Sequence, residues 1–219
     1  MRYEIKGQEA KTIEIELSPG ETFHAERGAL VYQEEGIVAD LQWIGKGFAG
    51  VFSGMFSGES PWIIRYENRD VRPRLLALAG NQLGLFIHNM EKGESLILRR
   101  GTYIASDRKV RLRLSVGLRK MCSGMGLLFQ KVEGEATLIL NTFGEPIQRH
   151  LGPDESIYID EDHLIALSGI DESRITPHIG VGNLFRGEGF SRMRVTGPGT
   201  VYLTPVPWFS RFRQRGGVR

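Results

Sequence analysis

One motif in the last third of the chain recurs, and it constrains the fold more than any other feature of the sequence. It runs from Leu151 to Leu203, begins with the turn Leu151–Glu155 and ends with a hairpin around Gly197–Gly199. In the final segment, Thr200–Leu203, polar and apolar residues alternate. Because the side chains of a strand point alternately to the two faces of a sheet, this alternation predicts β-strands.

Two earlier parts of the chain can be laid over this motif. The unit starts Leu17–Glu21, Met90–Glu94 and Leu151–Glu155 each lead into a predicted strand. The first unit is the poorest copy, since Asn68–Asp70 stands in place of a glycine turn and Pro73 interrupts the return strand. The hairpins of the second and third units align without a gap: Gly124 with Gly187, Gly126 with Gly189, Val132 with Val195, Gly134 with Gly197, Thr137 with Thr200, Leu138 with Val201, and Leu140 with Leu203.

The repeat predicts an all-β fold, an internally triplicated β-sandwich. We expect one β domain over residues 1–207, with repeats at about 1–88, 89–149 and 150–204, followed by a basic aromatic tail at 208–219. The chain has 219 residues, and a domain of this size buries about 70% of the surface of the unfolded chain. Its 28 glycines and 9 prolines supply the tight turns that such a fold needs.

Charge and cysteine content restrict the classes of function. The net charge of +2 is too close to balance to indicate nucleic-acid binding by the whole chain. A single cysteine, Cys122, precludes an intramolecular disulfide and favours a reducing compartment. The sequence shows neither a basic segment followed by an apolar run at its start nor an apolar stretch of about 20 residues. We therefore expect a soluble, cytoplasmic protein with no transmembrane segment.

Each repeat interrupts its strands at the corresponding place with a small apolar segment. In the first repeat the apolar residues have helical spacing, but five glycines weaken a helix, so a short helix and a compact glycine-rich loop both fit. Exposed apolar patches usually mark interfaces, which predicts self-association as a homo-oligomer or binding to another protein. The alternative is that these segments close the ends of the sandwich. The predicted interface residues are Phe48, Phe52, Phe56, Leu118, Met121, Met125, Leu184 and Phe185.

The last twelve residues, 208–219, combine aromatic and basic side chains. Trp208 would supply an apolar anchor, and Arg211, Arg213 and Arg215 would contact phosphates or an anionic membrane surface. The chain lacks the regular basic-aromatic alternation of an RNA-binding platform, so nucleic acid is the less favoured partner. The alternative is a solvated tail without a partner.

Many short motifs, in order, identify the chain by resemblance as a member of the altered-inheritance-of-mitochondria family, over roughly residues 1–205. None of these motifs is specific alone, but their number and order are. The motifs are Pro19–Glu21, Arg27–Ala29, Gly58–Ser60, Arg100–Gly101, Asn141–Gly144, Asp160, His163–Ala166, Gly187–Gly189 and Thr196–Gly199.

The resemblance implies a β fold similar to that of the tryptophan RNA-binding attenuator protein, a compact sandwich resembling a double-stranded β-helix. It implies no known activity for bacterial members. For the mitochondrial branch it implies a link to inner-membrane organisation and the assembly of membrane complexes. The chain departs from the family pattern at Asn68–Pro73 and in its basic tail.

Three local patterns suggest chemistry, but each lacks the context that the chemistry requires. Gly45–Gly50 spells a dinucleotide fingerprint, which needs a βαβ unit that the surrounding strands and turns do not provide. Asp160–His163 offers oxygen and imidazole ligands, but consecutive residues of a turn point in different directions. Cys122 has no histidine near it in sequence to act as a base. The sequence therefore predicts no catalytic residue, no cofactor and no metal site.

These observations predict a non-enzymatic scaffold or protein-interaction domain, and the family resemblance links it to the organisation of membrane complexes. The alternative is a small-molecule or nucleic-acid binding module that uses a face of the sandwich and the basic tail.

Overall fold

A computed structural model of the protein describes residues 2–43, 62–115, 129–179 and 191–208. All eight predicted interface residues, from Phe48 to Phe185, lie outside these ranges. Arg211, Arg213 and Arg215 of the predicted anion contact also lie outside them, whereas Trp208 lies inside.

The described residues form strands joined by turns and two short 3-10 helices, Glu161–His163 and Glu172–Arg174. The predicted all-β fold is therefore confirmed. The strands are β1 Arg2–Lys6, β2 Thr12–Leu17, β3 Thr22–Glu26, β4 Leu30–Gln33, β5 Ile37–Trp43, β6 Trp62–Asn68, β7 Arg74–Ala79, β8 Gly84–Met90, β9 Leu96–Arg99, β10 Tyr103–Ser106, β11 Arg111–Leu114, β12 Phe129–Glu133, β13 Ala136–Thr142, β14 Ile147–Leu151, β15 Ser156–Asp160, β16 Leu164–Ser168, β17 Ile175–Ile179, β18 Ser191–Thr196 and β19 Gly199–Leu203.

The chain divides into two compact units. The first comprises Met1–Gly93, Gly101–Leu112 and Glu133–Thr142. It contains a four-stranded sheet of order β1-β2-β7-β4, hereafter the outer sheet, and a six-stranded sheet of order β5-β6-β3-β10-β13-β8. All the strand pairs in both sheets are antiparallel.

The two sheets of the first unit enclose a common apolar core. In β2, Ile13, Ile15 and Leu17 are fully buried, and they alternate with Thr12, Glu14 and Glu16. Strand β3 adds Phe23 and Ala25 from the six-stranded sheet to the same core cluster. Alternation therefore gives β2 and β3 one face each for the core between the two sheets, which is the packing of a β-sandwich.

The second unit comprises Glu94–Arg100, Arg113–Val132 and Phe143–Arg219. It contains a six-stranded sheet of order β11-β12-β9-β16-β19-β14 and a three-stranded sheet of order β15-β18-β17. Leu164 and Leu167 of β16 share a buried cluster with Met193 and Val195 of β18, so this unit also has its core between two sheets.

The same pairing order occurs in three successive runs of six strands. In β2–β7 the first, sixth and third strands are neighbours, as β2-β7-β4, and so are the second, fifth and fourth, as β3-β6-β5. The runs β8–β13 and β14–β19 show the same two orders. This recurrence supports the three-repeat interpretation of residues 1–88, 89–149 and 150–204, which stays a prediction beside the division into two units.

The first run closes its hairpin between β6 and β7 with an amide side chain. Asn68 is fully buried, and its Nδ2 donates to the carbonyls of Leu17 at 2.7 Å and Arg72 at 2.8 Å. Its Oδ1 accepts the backbone N–H of Asp70 at 2.9 Å. The stretch that departs from the repeat therefore contains a specific polar turn, further tied by an ion pair between Asp70 and Arg74.

The third run closes its hairpin between β18 and β19 with glycines, as the sequence predicts. Gly199 has a φ of +146°, and a Cβ placed there would lie 2.5 Å from both the Ser168 carbonyl oxygen and Ile170 Cγ1. No side chain fits at that distance, so this turn requires glycine both for its backbone conformation and for its close packing.

Candidate functional site

Trp208, the first residue of the predicted tail, packs against the second unit. Its ring meets that of Phe143 edge to face, with the centroids 5.4 Å apart and the planes at 74°. The guanidinium of Arg99 lies 5.4 Å from the centroid of the indole, within range of a cation–π contact. Trp208 is half-buried, and its Nε1 has no hydrogen-bond partner among the described residues. Trp208 is therefore held on the second unit by an aromatic contact and a cation–π contact.

Arg99 is the centre of this corner. It ends β9 and is buried, and its Nη1 donates to the Glu161 carbonyl at 2.6 Å. Its Nη2 lies 3.5 Å from Oδ1 of Asp162. Burial lowers the pKa of Arg99 and raises the pKa of Asp162, and each charge offsets part of the desolvation of the other. An arginine stays protonated in proteins, so the corner holds a buried cation between a carboxylate and an aromatic ring.

The turn Asp160–His163 takes its shape from its own side chains. Asp160 is the N-cap of the 3-10 helix, and its Oδ1 accepts the N–H of Asp162 at 2.9 Å. His163 Nδ1 lies 2.7 Å from the Thr204 carbonyl oxygen, and because a carbonyl only accepts, this ring nitrogen donates. The Thr204 N–H in turn donates to the His163 carbonyl at 2.8 Å. These groups join the turn to the end of β19.

The same contacts point the side chains of Asp160–His163 to different partners, which does not favour a shared metal ion. Asp160 bonds within the turn, Asp162 faces Arg99, and His163 faces the chain after β19. In the part of the chain that the structure describes, no group of three or more His, Cys, Asp or Glu side chains is placed to hold a metal ion.

A second polar cluster lies on the six-stranded sheet of the first unit. His24 is Cα partner to Arg65 on one side and to Ser106 on the other, and Arg65 is partner to Asp40, so the four residues form a row across one face. His24 is buried, and its Nδ1 has no hydrogen-bond partner in the described ranges. Burial lowers the pKa of His24, and the charges of Lys109 and Arg65 lower it further. The histidine therefore favours its neutral form.

A shallow cavity of about 460 Å³ lies at one end of the same sheet. Two contacts join residues that line it. The Thr137 N–H donates to Asp107 Oδ1 at 2.8 Å, and Arg108 forms an exposed ion pair of 3.2 Å with Glu135. Acidic and basic groups alternate around it, so it favours neither anions nor cations. The lining residues are Asn89, Met90, Glu91, Lys92, Asp107, Arg108, Glu135, Ala136 and Thr137.

The two edges of the outer sheet carry exposed apolar side chains. Strand β1 presents Tyr3 and Ile5, and β4 presents Leu30, Val31 and Tyr32. Each of these strands pairs with one neighbour among the described strands, β1 with β2 and β4 with β7. Exposed apolar residues on an open strand edge are the feature that most favours association with another chain.

Sequence reasoning missed most of these features. It identified Asp160, His163 and Trp208, but not Arg99, which lies far from them in sequence. No sequence pattern indicated that both faces of β1 are exposed.

The comparison with known families is decisive for the family assignment. The model of the family described as Mitochondrial biogenesis AIM24 matches residues 3–206. The chain belongs to the AIM24 family. This match spans both units, and it confirms the family resemblance drawn from the short motifs.

A solved structure shows the same fold. The X-ray structure of protein SPYM3_0169 from Streptococcus pyogenes has a TM-score of 0.71 and 24% sequence identity, and the likeness covers 98% of this chain and 97% of that chain. At this identity the likeness shows the fold alone. A comparison with curated proteins finds no match.

In the residues that the structure describes, no helix of this AIM24-family chain has the length and apolar character needed to cross a membrane.

Proposed function

We propose that this member of the AIM24 family is a non-enzymatic protein-interaction domain that self-associates or binds another protein. The observation that carries the proposal is the exposure of five large apolar side chains, Tyr3, Ile5, Leu30, Val31 and Tyr32, on the two edge strands of one sheet. Burial of such residues in an interface removes apolar surface from water, which drives most protein association.

The contacts of the ionisable groups support a structural role for them. Arg74 beside Asp70, and the N–H groups of the turn, lower the pKa of the Asp70 carboxyl. The Ser173 hydroxyl and N–H lower the pKa of Asp171 at the start of the second 3-10 helix. The Ser18 N–H does the same for Glu21. Each of these shifts has a cause within a turn or a cap, where the carboxylate stabilises the backbone.

The predicted apolar segments extend the proposal to a second surface. In each repeat a segment with Phe48–Phe56, Leu118–Met125 or Leu184–Phe185 would contact the partner, and these residues lie outside the described ranges. The family resemblance suggests a membrane-associated complex as the setting, and a cytoplasmic location stays a prediction.

Light scattering on charge-substituted variants tests this proposal. We expect Phe52→Asp and Leu184→Asp to lower the measured mass of the assembly, or to abolish binding of a purified partner, while circular dichroism stays unchanged. Val71→Asp is the matched control, because Val71 is 86% exposed in a turn outside both surfaces. Folded variants with unchanged mass and unchanged partner binding would refute the role of these segments.

A second candidate function is binding of an anionic polymer or membrane surface through the tail. The packing of Trp208 on Arg99 and Phe143 favours it, because a fixed Trp208 would place Arg211, Arg213 and Arg215 near one site on the second unit. We expect binding of a fluorescent oligonucleotide or of anionic vesicles to weaken steeply with salt and to disappear when the three arginines are changed to glutamine. Binding that persists in this triple variant, or that is absent at low salt, would exclude this function.

A further inference from the structure

The apolar face of the outer sheet continues from β2 onto β1, but the core of the first unit does not cover it at β1. Tyr3 is the Cα partner of Ile15, and Ile5 is the partner of Ile13, so the four side chains lie on one face. Ile13 and Ile15 are fully buried in the core of the first unit, whereas Tyr3 is 44% and Ile5 is 38% exposed. The described part of the second layer therefore covers β2 and stops short of β1.

The charged face of β1 contains an unbalanced pair. Glu4 on β1 lies directly opposite Glu14 on β2, and like charges in that position repel. Lys6 bonds Glu14 and lies 3.8 Å from Glu4, and the Tyr32 hydroxyl donates to Glu14 at 2.8 Å. Glu14 thus has two close partners, whereas Glu4 has the longer contact with Lys6. A second basic group opposite Glu4, on the open side of β1, would balance the two carboxylates.

We infer that β1 is the pairing edge for a second copy of this chain, and that the two β1 strands run antiparallel about Ile5. Such pairing joins two outer sheets into one continuous sheet. It joins the Ile5 side chains of the two copies, places Tyr3 of each opposite Gly7 of the other, and bonds the outward backbone groups of Glu4–Lys6. This inference rests on the proposed interaction role and names its partner at one edge.

Two copies of β1 can pair symmetrically about Tyr3, Glu4 or Ile5 with at least three residues of each strand opposite one another. The charges of β1 select the register about Ile5. Pairing about Glu4 would place Glu4 opposite Glu4 and Arg2 opposite Lys6, which repel. Pairing about Tyr3 would place Arg2 opposite Glu4, but Arg2 already has Glu16 opposite it on β2. Pairing about Ile5 places Glu4 of each copy opposite Lys6 of the other and joins the two Ile5 side chains. Lys6 has the uncharged Thr12 opposite it on β2, and its ammonium, which bonds Glu14 within the chain, has further N–H donors for Glu4 of the second copy.

Charge reversal provides the first test, with mass measured by sedimentation equilibrium. Glu4→Lys places a lysine opposite Lys6 of the second copy at both symmetric positions, so we expect dimer dissociation to become about tenfold easier. The same change places a lysine opposite Glu14 within the chain, so β1 itself should not be destabilised. Lys6→Glu creates the equivalent repulsion between carboxylates. Glu9→Lys, in the turn after β1, is the control with the same change of net charge and should leave the dimer unchanged.

A mixture of the two variants makes the test specific. When Glu4→Lys and Lys6→Glu chains pair with each other, every cross-strand pair again joins a basic and an acidic group. We expect the mixture to form heterodimers at a protein concentration at which each variant alone is mainly monomeric. A mixture that stays monomeric, or single variants that keep the mass of the original protein, would overturn the pairing.

Disulfide trapping tests the register. In a Cys122→Ser background, Ile5→Cys should give a covalent dimer on mild oxidation, because directly opposite residues lie within disulfide reach. Tyr3→Cys should not, since the two copies of that position are several residues apart along the strands. Trapping by Tyr3→Cys alone, or by neither variant, would overturn the inference.

The proposed function and this inference fail in different ways. If charge reversal leaves the mass unchanged while Phe52→Asp or Leu184→Asp lowers it, the β1 pairing is wrong and the interaction role stands. If none of these changes affects the mass or the binding of a purified partner, both are wrong.

Discussion

Strands β1 and β2 are neighbours in one sheet and have the same alternation of apolar and polar residues, yet they have opposite environments. Every residue of β1 is exposed, whereas the apolar residues of β2 are fully buried. Alternation determines which face of a strand is apolar. Whether that face is covered depends on where the second layer ends. The comparison teaches that an apolar face at the edge of a sheet is a candidate interface even when its sequence looks like core.

Truncation of the paired apolar residues should give the largest difference between the strands. Ile15→Ala in β2 removes fully buried methylene groups and leaves a cavity, so we expect a loss of about 2–5 kcal/mol in the free energy of unfolding. Ile5→Ala in β1 should cost less than about 1 kcal/mol at low protein concentration. Urea unfolding followed by fluorescence measures both. If Ile15→Ala does not fold, Ile15→Val with an expected loss of about 0.5–1.5 kcal/mol replaces it. Equal losses at positions 5 and 15 would contradict the comparison.

Removal of the polar turn that fixes β2 should have an intermediate effect. Asn68→Ala removes the side-chain Nδ2 donor that bonds the Leu17 carbonyl, at the end of β2, over 2.7 Å. It also removes the bonds to Arg72 and Asp70. We expect a loss of about 1–3 kcal/mol, because these groups are buried or half-buried. Arg69→Ala, at an exposed position of the same turn, should change stability little. A negligible effect of Asn68→Ala in the same urea experiment would show that the amide is not what orders this turn.

The smallest expected effect is a change in the pKa of Glu14, which Lys6 of β1 bonds across the pair of strands β1 and β2. Hydrogen bonds from Lys6 and then from Tyr32 lower the pKa of Glu14 below its ordinary value of 4.5. A carboxyl group with a lowered pKa in the folded state contributes stability above the unfolded pKa, and this contribution is lost as the pH falls through the folded pKa. The attachment of β1 to β2 should therefore weaken in acid.

Carbon-detected NMR of the Glu14 carboxyl measures this directly. The titration midpoint should lie below 4.5 in the original chain and should move upward in Lys6→Met. Glu9, in the turn after β1, provides the control resonance, because Lys6→Met does not remove a bond that involves it. If Lys6→Met leaves the titration midpoint of Glu14 unchanged, the hydrogen bond from Lys6 does not lower the pKa of Glu14.

Much of the fold could be predicted from the sequence because strands and turns are local features. The strand predicted at Thr200–Leu203 lies within β19, and Gly199 marks a turn that only glycine permits. Asn68 was interpreted as divergence from the repeat, because the carbonyl that its side chain binds lies 51 positions earlier in the chain.

The candidate site could be predicted only in part, because its contacts join distant positions. Arg99 meets the backbone of Glu161, 62 positions away, and no local pattern indicates that an arginine at the end of a strand is buried. The exposure of β1 depends on the extent of the opposite layer, which the sequence does not encode locally. The apolar segments with Phe52 and Leu184 lie outside the described residues, so their role as an interface stays a prediction.

Hydrogen exchange of the β1 amides at two protein concentrations tests the central claim most directly. An edge strand leaves alternate N–H groups open to water, whereas pairing with a second copy bonds them and protects them in proportion to the paired fraction. We predict that the outward amides of Glu4–Lys6 exchange more slowly at high than at low protein concentration, and that Glu4→Lys reduces this dependence. Fast exchange that is the same at both concentrations would contradict the assignment of β1 as a pairing edge.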